Sequence, residues 1–363
     1  MKKMVYFCPV DWRWIKQRPQ FLAEELSRFY DVHVIYPFSK RRKGLQKGGA
    51  DSICKTPYLT LPTLRGLLPF VASINKWLVR KQTERVIRRV KPDLIWITLP
   101  EQLTCIPQDY RGSVIYDCMD DYVAFSADET RRTEIGRIEG ELICRADLVF
   151  ATSENLKAKL CSRNKILEDK IVLLRNGYNA KWKLQSASRS KDGRLRIGYF
   201  GTISHWFDFD LLMNNLKSHG QVEYHLYGPL GGGVQIPQDA RLIYHGVIEH
   251  EEIERCALEL DALLMPFKLN EIVLSVDPVK LYEYICLNKN ILCIRYPEVQ
   301  RFAPFVHFYS GQQEYDAHIR MLLEKNEVSY TKEEAEHFLK ENSWLTRAAD
   351  AHAAIETLIG GEI

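Results

Sequence analysis

The sequence predicts an α/β protein built from two doubly wound parallel-sheet domains that face a central cleft. Three observations lead there. The chain has 363 residues, about two to three times the usual domain length, which leaves room for two separate cores. Short apolar, β-branched runs alternate with stretches of helical spacing, the pattern of a parallel sheet covered on both faces. The alternation stops at a polar segment rich in small residues, Leu184-Gln185-Ser186-Ala187-Ser188-Arg189-Ser190-Lys191-Asp192-Gly193, and then starts again.

In the first half, residues 4–8 form the opening strand. Phe21, Leu22, Leu26 and Phe29 recur at helical spacing within 16–29, and strand character returns at 31–36. Strands follow at 94–98, 114–116, 148–152 and 171–174, with helices at 75–90 and 129–145 between them. After the polar segment come strand 196–200, helix 207–218, strands 223–227 and 242–245, helix 250–260, strand 262–265, helix 278–287 and strand 291–294. The final stretches 313–325, 331–342 and 344–358 read as helices. The expected division is therefore a first domain over 1–183, a linker over 184–194 and a second domain over 195–343.

Composition narrows the function classes. Hydrophobic residues make up 46% and charged residues 27%, which excludes a collagen-like, low-complexity or wholly disordered chain. The net charge of +3 hides an asymmetry: residues 1–100 carry 20 Lys and Arg against 7 Asp and Glu, and the remainder carry 30 against 40. No apolar run approaches the ~18 residues of a membrane-spanning helix. Met1-Lys2-Lys3 opens a strand, since no small-residue cleavage site follows the apolar run. The nine cysteines are scattered without a Cys-x-x-Cys pair, which argues against a disulfide frame or thiolate metal site and fits a reducing cytoplasm.

The segment Asp277-Pro278-Val279-Lys280-Leu281-Tyr282-Glu283-Tyr284 carries the most chemistry. Asp277 suits a helix N-cap and Pro278 the first helical position, so Lys280 falls in the first turn with Glu283 on the same face. Amides at a helix start plus one ammonium suit a phosphate, and a carboxylate one turn on can accept hydrogen bonds from ribose hydroxyls. The other reading is an amphipathic helix with a surface Lys–Glu pair.

Here the chain resembles the GT-B glycosyltransferases, in particular the family-1 and family-4-like enzymes of bacterial capsule, exopolysaccharide and teichuronic acid assembly. The resemblance rests on Pro278 to Ile294, on Asp11-Trp12 with Gln17-Arg18-Pro19-Gln20, and on Tyr116-Asp117-Cys118-Met119-Asp120-Asp121. Arg175-Asn176-Gly177, Gly198-Tyr199-Phe200-Gly201, His245-Gly246, Pro266-Phe267 and Asn342-Ser343-Trp344 with Arg347 extend it along nearly the whole chain. It implies two Rossmann-like domains, with the C-terminal helix 344–363 returning to the first. It also implies a sugar moved from a nucleotide donor, UDP-sugar favoured over GDP-sugar, to a lipid-linked or oligosaccharide acceptor, with no further cofactor. Lys280 would hold the diphosphate with Gly201 and Thr202. Glu283 would hold the ribose, Gly246 and Val247 would line the base pocket, and Asn270 and Ser275 would face the donor sugar. Two departures stand out: Ser275 occupies the place of the first Glu of a Glu-x7-Glu pair, and Asn288-Lys289-Asn290 replaces a Gly-Lys-Pro turn, where Asn can still adopt a left-handed conformation.

Other candidates lie at expected strand ends. His205, in Gly201-Thr202-Ile203-Ser204-His205-Trp206, could stabilise phosphate charge at the start of the next helix, or could serve as a packing or capping residue. Asp121 and Asp120, with Asp121 slightly preferred, could take a proton from an acceptor hydroxyl in an inverting transfer or bind the acceptor in a retaining one. Trp12, Trp14, Gln17 and Arg18 would bind the acceptor by stacking and by an Arg–phosphate clamp, unless the tryptophans only close an apolar floor.

Lys40-Arg41-Arg42-Lys43 with Lys47, followed by Leu67, Leu68, Phe70, Val71, Ile74, Trp77 and Leu78, suits an anionic membrane surface. A cytoplasmic chain peripheral on the inner face of the plasma membrane is the corresponding expectation. No nucleic-acid-binding motif accompanies the basic run. Asp208-Phe209-Asp210 is read as a helix cap and not a metal site, so metal-independent chemistry is expected. A GT-B-like nucleotide-sugar epimerase and a non-catalytic nucleotide- or sugar-binding subunit remain the alternatives.

Overall fold

The computed structural model describes residues 1–14, 16–38, 53–62, 69–126, 128–164, 168–178 and 193–358. The basic run 40–47 and nearly all of the expected linker lie outside the described residues. The chain divides into two compact units, Met1–Asn176 with Trp344–Ile363, and Gly177–Ser343.

The first unit holds β1 (Lys3–Phe7), α1 (Arg18–Leu26), β2 (Asp31–Pro37), β3 (Cys54–Tyr58), α2 (Pro69–Val90), β4 (Leu94–Ile97), β5 (Ser113–Cys118), α3 (Glu129–Arg145), β6 (Leu148–Ala151), α4 (Glu154–Asn164) and β7 (Ile171–Leu173). Its sheet has the order β3-β2-β1-β4-β5-β6-β7, and every pairing is parallel. Alternate residues of a strand enter opposite layers: Met4, Tyr6 and Cys8 pack on one face, Val5 and Phe7 on the other. Both faces are buried, which is why these strands read as continuous apolar runs.

The second unit holds β8 (Leu195–Phe200), α5 (Phe209–Ser218), β9 (Val222–Tyr227), β10 (Leu242–Gly246), α6 (Ile253–Ala257), β11 (Ala262–Met265), α7 (Val279–Cys286), β12 (Asn290–Ile294), β13 (His307–Tyr309), α8 (Gln312–Glu324) and α9 (Lys332–Glu341). Its parallel sheet runs β10-β9-β8-β11-β12-β13. The last helix, α10 (Trp344–Leu358), belongs to the first unit, as expected. Trp344 stacks on Phe21 at 5.7 Å, His352 stacks on Phe29 at 4.5 Å, and Ala348, Ala351 and Ile355 complete that unit's core.

Three elements go beyond the sequence reading. β3 contains Pro57 and sits at a sheet edge, where a missing amide donor is tolerated. β13 is only three residues long, at an edge of the second unit's sheet. α4 buries just Leu156 and Leu160, too sparse a stripe to mark a helix. The expected helix over 250–260 is instead a 3₁₀ turn, His250–Glu252, followed by the short α6.

The start of α7 also needs correcting. Pro278 occupies the N-cap and the helix proper begins at Val279. Asp277 is buried and pairs with Arg301, whose guanidinium also bonds the Tyr282 hydroxyl and lies 4.2 Å from the Phe302 ring centroid. A buried carboxylate is stabilised far more by a guanidinium than by a cap, so the partner decides its role. At the other end Asn288 has φ of +51°, the left-handed turn that its side chain allows.

Candidate functional site

Ligands of open α/β sheets bind beyond the carboxyl ends of the strands, where the strand order reverses. In the second unit that point lies between β8 and β11. Gly201 follows β8 with φ of +143°, and a Cβ there would lie 2.1 Å from Lys280 Cε and 2.8 Å from its Nζ. The lysine stem therefore occupies the space that the glycine leaves. Its Nζ sits 6.0 Å from the Tyr199 ring centroid, and the Tyr199 hydroxyl donates to the Thr202 carbonyl at 2.8 Å. Burial pushes the Lys280 ammonium toward its neutral form, and Glu283 partly counters it.

The neighbouring strand ends are closed by glycines as well. A Cβ on Gly228 would lie 2.2 Å from the Gly201 carbonyl oxygen, and the Gly228 amide donates to the Gly246 carbonyl at 2.7 Å. Gly228 and Gly246 have φ of +132° and +79°. Backbones approach here at distances a side chain would prevent.

Around Lys280 the other candidates differ in availability. Glu283 is half-buried, with Oε1 3.3 Å from His250 Nε2. Thr202, His205 and Val247 are exposed, and His205 lies edge-on to Trp206 at 4.8 Å. Asn270 Oδ1 accepts from the Ile272 and Val273 amides at 3.0 and 2.9 Å, and Ser275, buried, donates to the Glu271 carbonyl at 3.2 Å. Both help build a 3₁₀ turn, which commits the Asn270 Oδ1 and the Ser275 hydroxyl proton. Asp208 caps α5 through the Leu211 amide, and Asp210 pairs with Lys268 at 2.8 Å.

In the first unit the carboxyl end of β5 carries Asp117, fully buried and bound by Arg18 through Nη2–Oδ1 at 2.7 Å and Nε–Oδ2 at 3.1 Å. Arg18 Nη1 also donates to the Arg175 carbonyl and to Asn176 Oδ1. This corrects the expected acceptor clamp: Arg18 is a buried strut whose donors are turned inward. Trp12 is likewise part of the core, whereas Trp14 is half-buried and Gln17 exposed at the start of α1.

The acidic loop splits into two different carboxylates. Asp121 is buried and bound by Arg163 at 2.7 and 2.9 Å, by Lys159 at 2.9 Å and by the Ala124 amide at 3.1 Å. Burial would raise its pKa, but these hydrogen bonds outweigh it and hold the carboxyl below its ordinary value. Asp120 is pushed up to about 6, by burial first, with Asp117 and Asp121 adding to the rise and Arg18 opposing it. A carboxylate near neutrality suits a proton acceptor better than one held by two cations, which makes Asp120 the stronger candidate of the pair. Among the described residues no group of three or more His, Cys, Asp or Glu could hold a metal ion.

No family model matches the chain. A curated relative, "Putative teichuronic acid biosynthesis glycosyltransferase TuaH" of Bacillus subtilis, is 24% identical over 235 residues. That alignment covers 59% of this chain and 59% of the relative. Among solved structures, sucrose-phosphate synthase from Thermosynechococcus elongatus superposes with a TM-score of 0.70 at 13% identity, covering 99% of this chain and 100% of that one. This is the GT-B fold. Anabaena HepE, solved with UDP and glucose, gives a TM-score of 0.68 at 14% identity over 99% and 100% of the two chains.

Within this GT-B chain, sequence reasoning passes over Lys159, Arg163, Gly228 and His250. Lys159 and Arg163 stand four apart on α4, which places them on one face. That spacing is the available signal, hidden because the helix itself has too little apolar periodicity to be recognised.

Proposed function

We propose that this GT-B chain is a glycosyltransferase that moves a sugar from UDP-sugar to a hydroxyl of a lipid-linked or oligosaccharide acceptor in cell-surface polysaccharide assembly. The observation that carries this reading is the close approach of Lys280 to Gly201, which sets a lysine of the first turn of α7 at the strand switch point. The anomeric C–O bond to the diphosphate breaks as the bond to the acceptor oxygen forms. Lys280, the α7 amides and His205 stabilise charge on the leaving diphosphate without a metal. Glu283 accepts from the ribose hydroxyls, and the loop at Gly246 and Val247 takes the base. In an inverting transfer Asp120 receives the acceptor's proton, with Trp14 and Gln17 contacting the acceptor.

UDP is favoured because HepE, of the same fold, was solved with UDP and glucose. A polysaccharide role draws support from the relative named for teichuronic acid biosynthesis. The basic residues 40–47 and the exposed Trp77 and Ile74 of α2 support a membrane-associated acceptor. No described helix is long and apolar enough to cross a membrane.

Thermal shift with UDP, GDP, CMP and dTDP, followed by UDP-release assays over a panel of acceptors, tests the reading. UDP should raise the melting temperature by mass action, and release should depend on acceptor. Absence of both overturns it. Conversion of the donor to an isomer without acceptor would identify an epimerase, and tight binding without turnover would identify a binding subunit.

A further inference from the structure

We infer that His250 is a positioning residue for Glu283, and that it ties the loop after β10 to the helix that carries Lys280. The inference rests on the nucleotide reading of Glu283 given above. His250 Nε2 lies 3.3 Å from Glu283 Oε1, and the two residues are 33 positions apart. The histidine opens the 3₁₀ turn His250–Glu252, four residues beyond Gly246, whose carbonyl receives the Gly228 amide. Glu283 stands one turn after Lys280 on α7. One contact thus links the two segments that would enclose a nucleoside diphosphate.

A carboxylate on an isolated helix position samples several rotamers, and ordering it on binding has an entropic cost. An imidazole N–H on Oε1 selects one rotamer and leaves Oε2 for a ligand. Both ribose hydroxyls are donors, and a carboxylate so held can accept from them without first reorganising. His250 therefore acts through Glu283, on ligands that carry the hydroxyls, and it should have little influence on those that lack them.

Calorimetry with UDP and with 2′,3′-dideoxy-UDP on four proteins tests this: wild type, Glu283→Gln, His250→Ala and His250→Gln. The wild type should prefer UDP by about 10-fold or more, the scale of one charge-assisted hydrogen bond. Glu283→Gln should lose most of that preference. His250→Ala should lose a comparable share, while its affinity for the dideoxy ligand stays within about 2-fold. His250→Gln, which keeps a donor at similar reach, should restore it. If Glu283→Gln loses the preference but His250→Ala keeps it, the positioning role is overturned and the ribose reading stands. If wild type and Glu283→Gln show the same preference, the ribose reading of Glu283 falls, and the role of His250 falls with it. Equal weakening of both ligands in His250→Ala would overturn the positioning role too, leaving the histidine as a support of the local turn.

Discussion

Lys280 reaches the switch point of the second sheet through the space left by the absent side chain of Gly201, whose Cβ would lie 2.1 Å from Lys280 Cε. The glycine and the lysine stand 79 positions apart along the chain, yet each makes sense only with the other. A glycine motif and a helix-start lysine become one device.

Gly201→Ala should therefore act like the loss of Lys280. Both Gly201→Ala and Lys280→Met should weaken UDP binding by about 10-fold or more, measured by calorimetry. Gly233→Ala is the control. It too has a positive φ, +73°, but its Cβ would meet nothing within 4 Å. It should cost about 1 kcal/mol of stability from backbone strain while leaving the Lys280 site intact. Unchanged UDP affinity in Gly201→Ala would show that the lysine can reach the ligand by another path.

The two loop carboxylates should respond oppositely to removal. Asp121→Asn leaves Arg163 and Lys159 without their buried partner, and the cost should be about 2–3 kcal/mol, somewhat below that of a fully buried pair because both cations are partly exposed. Urea denaturation at pH 7 measures it. A change below about 0.5 kcal/mol, the ordinary range for a surface substitution, would mean that the cluster contributes no net stability.

Asp120→Asn should stabilise instead. The pKa of Asp120 in the folded protein is raised to about 6 from an ordinary 3.8, so the folded protein holds that proton more tightly than the unfolded chain does. Stability from this group is therefore full below the unfolded value and is lost as pH rises through about 6. The Asn variant should be more stable than wild type by about 2–3 kcal/mol at pH 8, because a tenfold change in proton affinity is worth ~1.4 kcal/mol, and the gap should close near pH 4. Equal stability at pH 8 would contradict the burial of this charge.

The same substitution tests the chemistry. In an inverting enzyme Asp120→Asn should cut turnover by about 10²–10⁴-fold with donor affinity retained, and wild-type kcat/KM should rise through the raised pKa as the base ionises. In a retaining enzyme it should mainly raise the acceptor KM. NMR of the product's anomeric proton separates the two. Kinetics near wild type in both Asp120→Asn and Asp121→Asn would place the base elsewhere.

The proposed membrane association would draw on the basic residues 40–47, outside the described structure, and on α2, where Trp77 is 58% exposed. Reversing Lys40, Arg41, Arg42 and Lys43 to Glu should release the protein from anionic vesicles, as should added salt in the wild type. Trp77→Ala should weaken the residual salt-resistant binding. Vesicle sedimentation that ignores all three changes would assign the basic surface to another partner.

The sequence by itself determined the fold class, the α7 motif and most strands and helices of the chain. Strand and helix periods are local: Val5 and Tyr6 declare a strand, and Leu22 and Leu26 a helix, whatever lies across the sheet. The elements it lost are those whose local signal is thin, the Pro57 edge strand and the sparsely apolar α4. What the tertiary structure alone decided is which polar groups are already spent. Asp277 looked like a cap until Arg301 met it, Arg18 like a clamp until Asp117 took its donors, and Asp121 like a base until α4 delivered Arg163 and Lys159. A carboxylate's chemistry follows its burial and its partners, and those partners come from segments 24 to 99 residues away, a distance over which no local period carries information.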